Sequence, residues 1–215
     1  ASVSIPELTV ERKVGLGRQT YVVRKLALRD ITAGKAAVLA ADGGTITGPA
    51  PEEGGFGAVT GKTVDLAQLA RVLGPEPATP DAEAKTLLAG LTIEKLQLKT
   101  SSGSVAFGRL AANDARVQLG RLSGRLSPVQ GAVTVSDAKF IVGGAMPTKP
   151  PAEWTVKTLA LTLESPRDTI PTKFYAAIEG LTVPVPANST DPNFKNLADL
   201  GYTAVVASIT ADASW

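Results

Sequence analysis

The sequence predicts a mainly β protein: a long, twisted antiparallel sheet built of hairpin-like units, curved or partly closed, with about three short covering helices. Three observations predict it. Runs such as SVSIPELTV, TYVVRKLAL, KAAVLAA, GAVTVSDAKFIV, TKFYAAIEGLTVPV and YTAVVASITA alternate apolar and polar residues, the two-residue period of a half-buried strand. A Leu-x-Leu core between polar residues recurs in RKLALRD at 24–30, EKLQLKT at 94–100 and KTLALTL at 157–163. The stretches beginning Phe56-Gly57 and Phe107-Gly108 are two versions of one β element, each with an apolar residue two positions after the glycine, Val59 and Leu110.

These recurrences are unequally spaced, which fits repeated hairpins rather than a solenoid of fixed period. The alternation also slips phase, as between Ile93 and Leu96, which predicts bulges or twist along long strands. Three helices are readable between the strands. Asp65 is placed to cap Leu66 to Leu73, whose Leu66, Leu69, Ala70 and Leu73 share one face before Gly74-Pro75. A second starts at Thr79 or Asp81 and ends at Gly90. The third starts at Asp191-Pro192, carries Phe194, Leu197 and Leu200 on one face, and has Gly201 just past its end. Gly48 to Gly54, Gly74 to Pro80 and Gly143 to Ala152 read as linkers. Pro171, Pro184 and Pro186 bracket a strand expected at a sheet edge, because proline cannot donate to a ladder.

With 215 residues the chain can bury a sizeable core. It fits one β-rich domain over 1–215 or two similar β subunits dividing near 74–90. Hydrophobic residues at 44 % and charged residues at 20 % place it among folded rather than disordered chains. A formal charge of +2 supplies no global attraction to nucleic acid, and aromatic residues at 5 % leave little to stack on bases. The absence of histidine removes the commonest general base and zinc ligand. The absence of cysteine removes disulfides and thiolate ligands, and permits either redox compartment. No run of apolar residues is long enough for a transmembrane helix. The chain opens directly in a strand-like ASVSIPELTV, so it is expected to be a mature or excised segment of a longer protein, with a leader or anchor removed.

One stretch imitates a nucleotide site. GGFGAVTGKTVDL, residues 54–66, contains Gly61-Lys62-Thr63, the end of a phosphate loop. That motif needs a glycine five positions before Gly61, so that backbone amides wrap the phosphates. Phe56 stands there, and a Pro/Gly-rich loop precedes it where a buried strand belongs. Lys62 is therefore read as a solvated strand or turn residue.

Arg109, Arg116, Arg121 and Arg125 fall in one β-rich stretch and are the anion-site candidates, since guanidinium binds phosphate or carboxylate in a fork; a solvated face is the alternative. Glu52-Glu53 sits in a loop, and no closely spaced carboxylates surround a glycine turn as calcium requires. No catalytic residue, metal ligand or cofactor motif is assigned. An enzyme relying on Ser, Lys or carboxylates without His is the least favoured reading.

The pattern LTIEKLQLKTSSGSVAFGRLAANDARV, followed by FYAAIEGLTVPVP and LADLGYTAVVASITADASW, resembles large β-rich envelope proteins of Gram-negative bacteria, the AsmA-like and related periplasmic families. The resemblance implies a periplasmic location, a long curved sheet and a role in handling lipid or supporting the envelope. It carries over no functional residue. The expected function is non-enzymatic binding or guiding of an amphipathic ligand such as a lipid along an apolar sheet face. The alternative is a structural or interaction module that pairs its sheet edges with an envelope protein.

Overall fold

The computed structural model of the chain describes residues 1–73, 83–118, 127–143, 152–164, 172–187 and 192–214. The strands are β1 (Val3–Val14), β2 (Gly17–Thr32), β3 (Lys35–Ala41), β4 (Gly43–Thr47), β5 (Glu53–Phe56), β6 (Val59–Asp65), β7 (Lys85–Thr100), β8 (Gly103–Gln118), β9 (Ser127–Val142), β10 (Ala152–Glu164), β11 (Lys173–Pro184) and β12 (Ala204–Ser214). Two helices, α1 (Leu66–Leu73) and α2 (Pro192–Asp199), lie among them.

All twelve strands belong to one antiparallel sheet. β3 and β4 both run against β2, and β5 and β6 both run against β7. Each of these couples is thus one long strand broken in its middle, and β4 pairs with β5 as β3 pairs with β6. The result is an up-and-down meander. Its two broken strands close a partial ring of pairings through β2, β3, β6, β7, β5 and β4, but β1 and β12 do not meet, so it is no barrel.

The phase slips have one structural cause. A residue with φ near +50° reverses the local pleat, so side chains three apart, rather than two, point the same way. Lys25 (φ 51), Lys95 (φ 52), Asp137 (φ 53) and Gly180 (φ 64) do this in β2, β7, β9 and β11. Their neighbours at the same level are the breaks at Asp42 and at Gly57-Ala58, then Gly108, Lys157 and Ser208, where the ladders also skip. Together they form a crease that crosses the sheet from Pro6 to Ser208.

A second crease, five or six residues away, is carried by Asp30 (φ 53), Thr63 (φ 49), Asp114 (φ 49) and Gly131 (φ 140). Ile93 and Leu96 flank Lys95, the slip that the sequence predicts at that point. At two glycines along the first crease an added side chain would press on a neighbour. A Cβ on Gly43 would lie 2.4 Å from the Phe56 carbonyl oxygen, and one on Gly180 would meet the Lys157 Cβ at 3.0 Å.

α1 has the bounds and the cap read from sequence: the Gln68 amide donates to Asp65 Oδ1 at 2.9 Å. α2 ends in a C-cap at Gly201 (φ 83), where the Tyr202 amide reaches the Leu197 carbonyl at 2.9 Å. The middle helix departs from expectation. Lys85 to Gly90 belong to β7, because their backbone groups are taken up by β8 and, from Leu88, by β6; residues 74–82 lie outside the described ones. The linker reading likewise gives way at Glu53 and Gly54, which pair in β5. Nor is the proline-bracketed strand an edge. β11 pairs with both β10 and β12, and Pro184 is tolerated as its last residue; Pro171 lies outside the described residues.

Candidate ligand-binding face

Directly opposed residues in antiparallel strands share a face, so the registers can be followed across the whole sheet. One row runs Val3, Leu28, Leu39, Gly61, Leu91, Ala112, Val133, Leu161, Ala176, Ala211. The next runs Ala41, Val59, Ile93, Leu110, Val135, Leu159, Ile178, Ile209. Beyond the crease come Leu96, Phe107, Ala138 and Val156, and then Val10, Tyr21, Ile46, Gly54, Leu98, Val105, Phe140 and Trp154.

Every row is apolar. Because the slip falls at the same level in neighbouring strands, the apolar face continues across the crease instead of switching sides. The opposite face reads differently. Ser4, Ala27, Ala40, Thr60, Thr92, Ala111 and Thr134 form one row, small and weakly polar. Glu94, Arg109, Ser136, Thr158 and Glu179 form another.

The apolar face is only partly covered. Val135, Ala138 and Val156 are buried, with Phe107, Leu110, Phe140, Leu159, Ile178 and Leu181 packed on them. Phe107 and Phe140 meet edge to face, with ring centroids 6.1 Å apart. Among the described residues the side chains packed on this cluster come from neighbouring strands of the same sheet, β8 to β11. α1 packs on β3, β6 and β7, at the end where Ala36, Val64 and Leu88 are buried.

The accessible surface, 13410 Å², fits this single-layer build. A compact globular chain of 22.1 kDa would expose roughly 9,300 Å². At the end opposite α1, an open concavity of about 360 Å³ is lined by Pro51, Leu98, Val105, Phe140 and Val142, among others. Trp154, opposite Phe140, is 43 % exposed there.

Across these rows charge is kept to the other side. Lys25 pairs with Asp42 at 2.7 Å across the crease, Lys157 with Glu179 at 3.1 Å, and Arg109 with Glu94 at 3.6 Å. Such exposed pairs are worth little in stability. Their consistent placement nevertheless leaves the apolar rows free of charge. The Asp42 carboxylate, by hydrogen bond and by charge, raises Lys25 above its ordinary value. Among the described residues no group of His, Cys, Asp or Glu is placed to hold a metal.

Of the arginine candidates, the two described ones stand apart. Arg109 faces Glu94, whereas Arg116, seven positions along β8, donates to the Ala84 carbonyl at 3.2 Å and to Gln130 Oε1 at 3.5 Å. Arg121 and Arg125 lie outside the described residues. The phosphate-loop imitation resolves as strand: Gly61 and Lys62 pair with both β3 and β7, and Thr63 is a crease residue. Gly61 sits in an apolar row between Leu39 and Leu91.

No family model, curated protein or solved structure matches the chain. What it does must follow from its own faces. Sequence reasoning named no residue of the apolar face as a site, although the signal was present. Lys25, Lys95 and Lys157, the lysines of the three Leu-x-Leu recurrences, all stand on one crease, and Val59 and Leu110 occupy one row. Each recurrence is a strand crossing the same line.

Proposed function

We propose that this chain is a non-enzymatic protein of the periplasm or cell envelope that binds or guides an amphipathic ligand, a lipid above all, along its apolar sheet face. The observation that carries the reading is the unbroken set of apolar rows, which stay exposed at Val133, Val142, Trp154 and Ile209 on either side of the buried Val135, Ala138 and Val156. Each row continues from strand to strand at a spacing of about 4.8 Å, so an acyl chain lying across the strands meets methyl and ring groups along its length. Burial of such a chain gains about 0.8 kcal/mol per methylene, while its headgroup stays at the rim in water. Location in the envelope belongs to the proposal and rests on the resemblance of residues 91–117, 174–186 and 197–215 to AsmA-like proteins.

The test uses Trp154 as a reporter, because it stands in an apolar row at the open end. Delipidated protein is titrated with a brominated fatty acid, and native mass spectrometry with organic extraction is run on gently purified protein. Quenching that is lost in Trp154→Phe, together with an extractable lipid adduct, is the expected outcome. A clean protein mass with no quenching at saturating probe would sink lipid carriage.

A further inference from the structure

The turn between β1 and β2 carries a residue that its backbone does not ask for. Val14 pairs with Gly17 across a two-residue loop, and Gly15 at φ 59 takes the first central position, the type II′ arrangement that suits a hairpin. Small polar residues dominate such turns, because the side chain meets only water and the backbone. Here the second central residue is Leu16, which stands fully in solvent, more exposed than any other large apolar side chain among the described residues. The tip is nonetheless braced, since a Cβ on Gly17 would lie 2.9 Å from Pro49. Both strands of this hairpin are consecutive in the chain, so its projection does not depend on what lies along the outer side of β1. Gly15 is five residues beyond Val10, whereas Ser101 in the β7–β8 turn is three beyond Leu98 of the same row, so the tip reaches about 7 Å further. It leads the end of the sheet at which the concavity lined by Phe140 and Val142 opens.

A basic collar surrounds the tip. Arg12, Lys13 and Arg18 flank Leu16 against one acid, Glu11, which Arg18 holds at 2.7 Å. Arg12 and Lys13 have no acid partner among the described residues, and the alternation of β1 sends them to opposite faces of the hairpin. The next acids, Glu52 and Glu53, lie on the neighbouring loop, with Glu53 4.0 Å from Lys99. We infer that this tip docks the protein on an anionic lipid bilayer, with Leu16 entering the interface while Arg12 and Lys13 meet lipid phosphates. Charge complementarity selects that partner: long cationic side chains around one apolar residue match a surface that is anionic above and hydrocarbon below. A single leucine with two unpaired cations makes a weak, salt-sensitive contact, suited to repeated touching rather than to anchorage. The inference rests on the lipid reading for its purpose, because docking by this end brings the apolar rows to the surface from which a lipid enters.

The test is flotation of the delipidated full chain with vesicles of phosphatidylglycerol and phosphatidylcholine in equal parts, and with vesicles of phosphatidylcholine alone, at low and at physiological salt. Capture is expected on the anionic vesicles only, and is expected to fall as salt rises. Leu16→Asn suits the turn better, so it should keep or raise the denaturation midpoint while cutting the bound fraction about tenfold. Leu16→Phe should bind as the unaltered chain does. Arg12→Gln combined with Lys13→Gln should also weaken capture about tenfold. Equal capture of Leu16→Asn and the unaltered chain, equal capture by neutral vesicles, or no capture at low salt would each overturn the docking. Uptake of the brominated fatty acid is read on the same samples. Uptake without vesicle capture overturns the docking alone, and Leu16-dependent capture without uptake overturns lipid carriage alone.

Discussion

The end of the sheet under α1 and the end around Phe140 and Trp154 follow the same alternation, yet they differ in what covers them. Beneath α1, Ala36, Val64 and Leu88 are buried, whereas Val142 and Trp154 at the opposite end stay 56 % and 43 % exposed. The difference teaches that an apolar strand face is not by itself a core. It becomes one where a second element lies on it, and elsewhere it is surface held open by the backbone. Substitutions at the first end should cost stability, and those at the second should cost ligand.

The sharpest break is Leu88→Ala, which leaves a cavity under α1 and is expected to lower stability by about 2–4 kcal/mol in urea melts, with acyl-probe uptake unchanged. Phe140→Ala should cost about 2 kcal/mol, because the ring is only half buried, but should reduce uptake of the probe several-fold. Equal losses of uptake in both variants would erase the distinction between the two ends.

The crease is tested by Gly180→Ala, where φ is 64° and the Lys157 Cβ stands 3.0 Å from the added methyl. It is expected to cost about 1–2 kcal/mol. Asp137→Gly removes a Cβ from a left-handed residue and should stabilise by about 1 kcal/mol, measured by the denaturation midpoint. The smallest effect belongs to Lys25. Its pKa is raised in the folded state by Asp42, so the pair's contribution is fully present below the lysine's ordinary value of 10.5 and is lost as pH rises through the folded value. Asp42→Asn should therefore lower Tm slightly at neutral pH and flatten the alkaline fall, so that the two proteins converge above the folded value.

The two helices read most accurately, α1 and α2, are governed by local chemistry. Asp65 caps the first and Gly201 closes the second, and such signals lie within a few residues of the backbone groups they satisfy. The middle helix failed for the complementary reason: Lys85 to Gly90 have a helix-compatible pattern, but long-range ladders with β6 and β8 hold their backbone. The expected edge at β11 failed likewise, since which strand lies last depends on pairing partners many residues away. In the candidate face, the slip at Lys95 was legible. That Lys25, Gly108 and Asp137 slip at the same level was not, because register is a relation between strands.

The sequence by itself therefore determined a β protein with alternating strands, phase slips and capped short helices, because each of these arises from the pleat, the left-handed residue or the cap within a short window. Tertiary structure alone decided that the slips align into creases, that the apolar rows join into one face, that α1 buries one end of it, and that β11 lies between two strands instead of at an edge. Those outcomes are set by hydrogen-bond register summed across the sheet, a quantity no single segment contains.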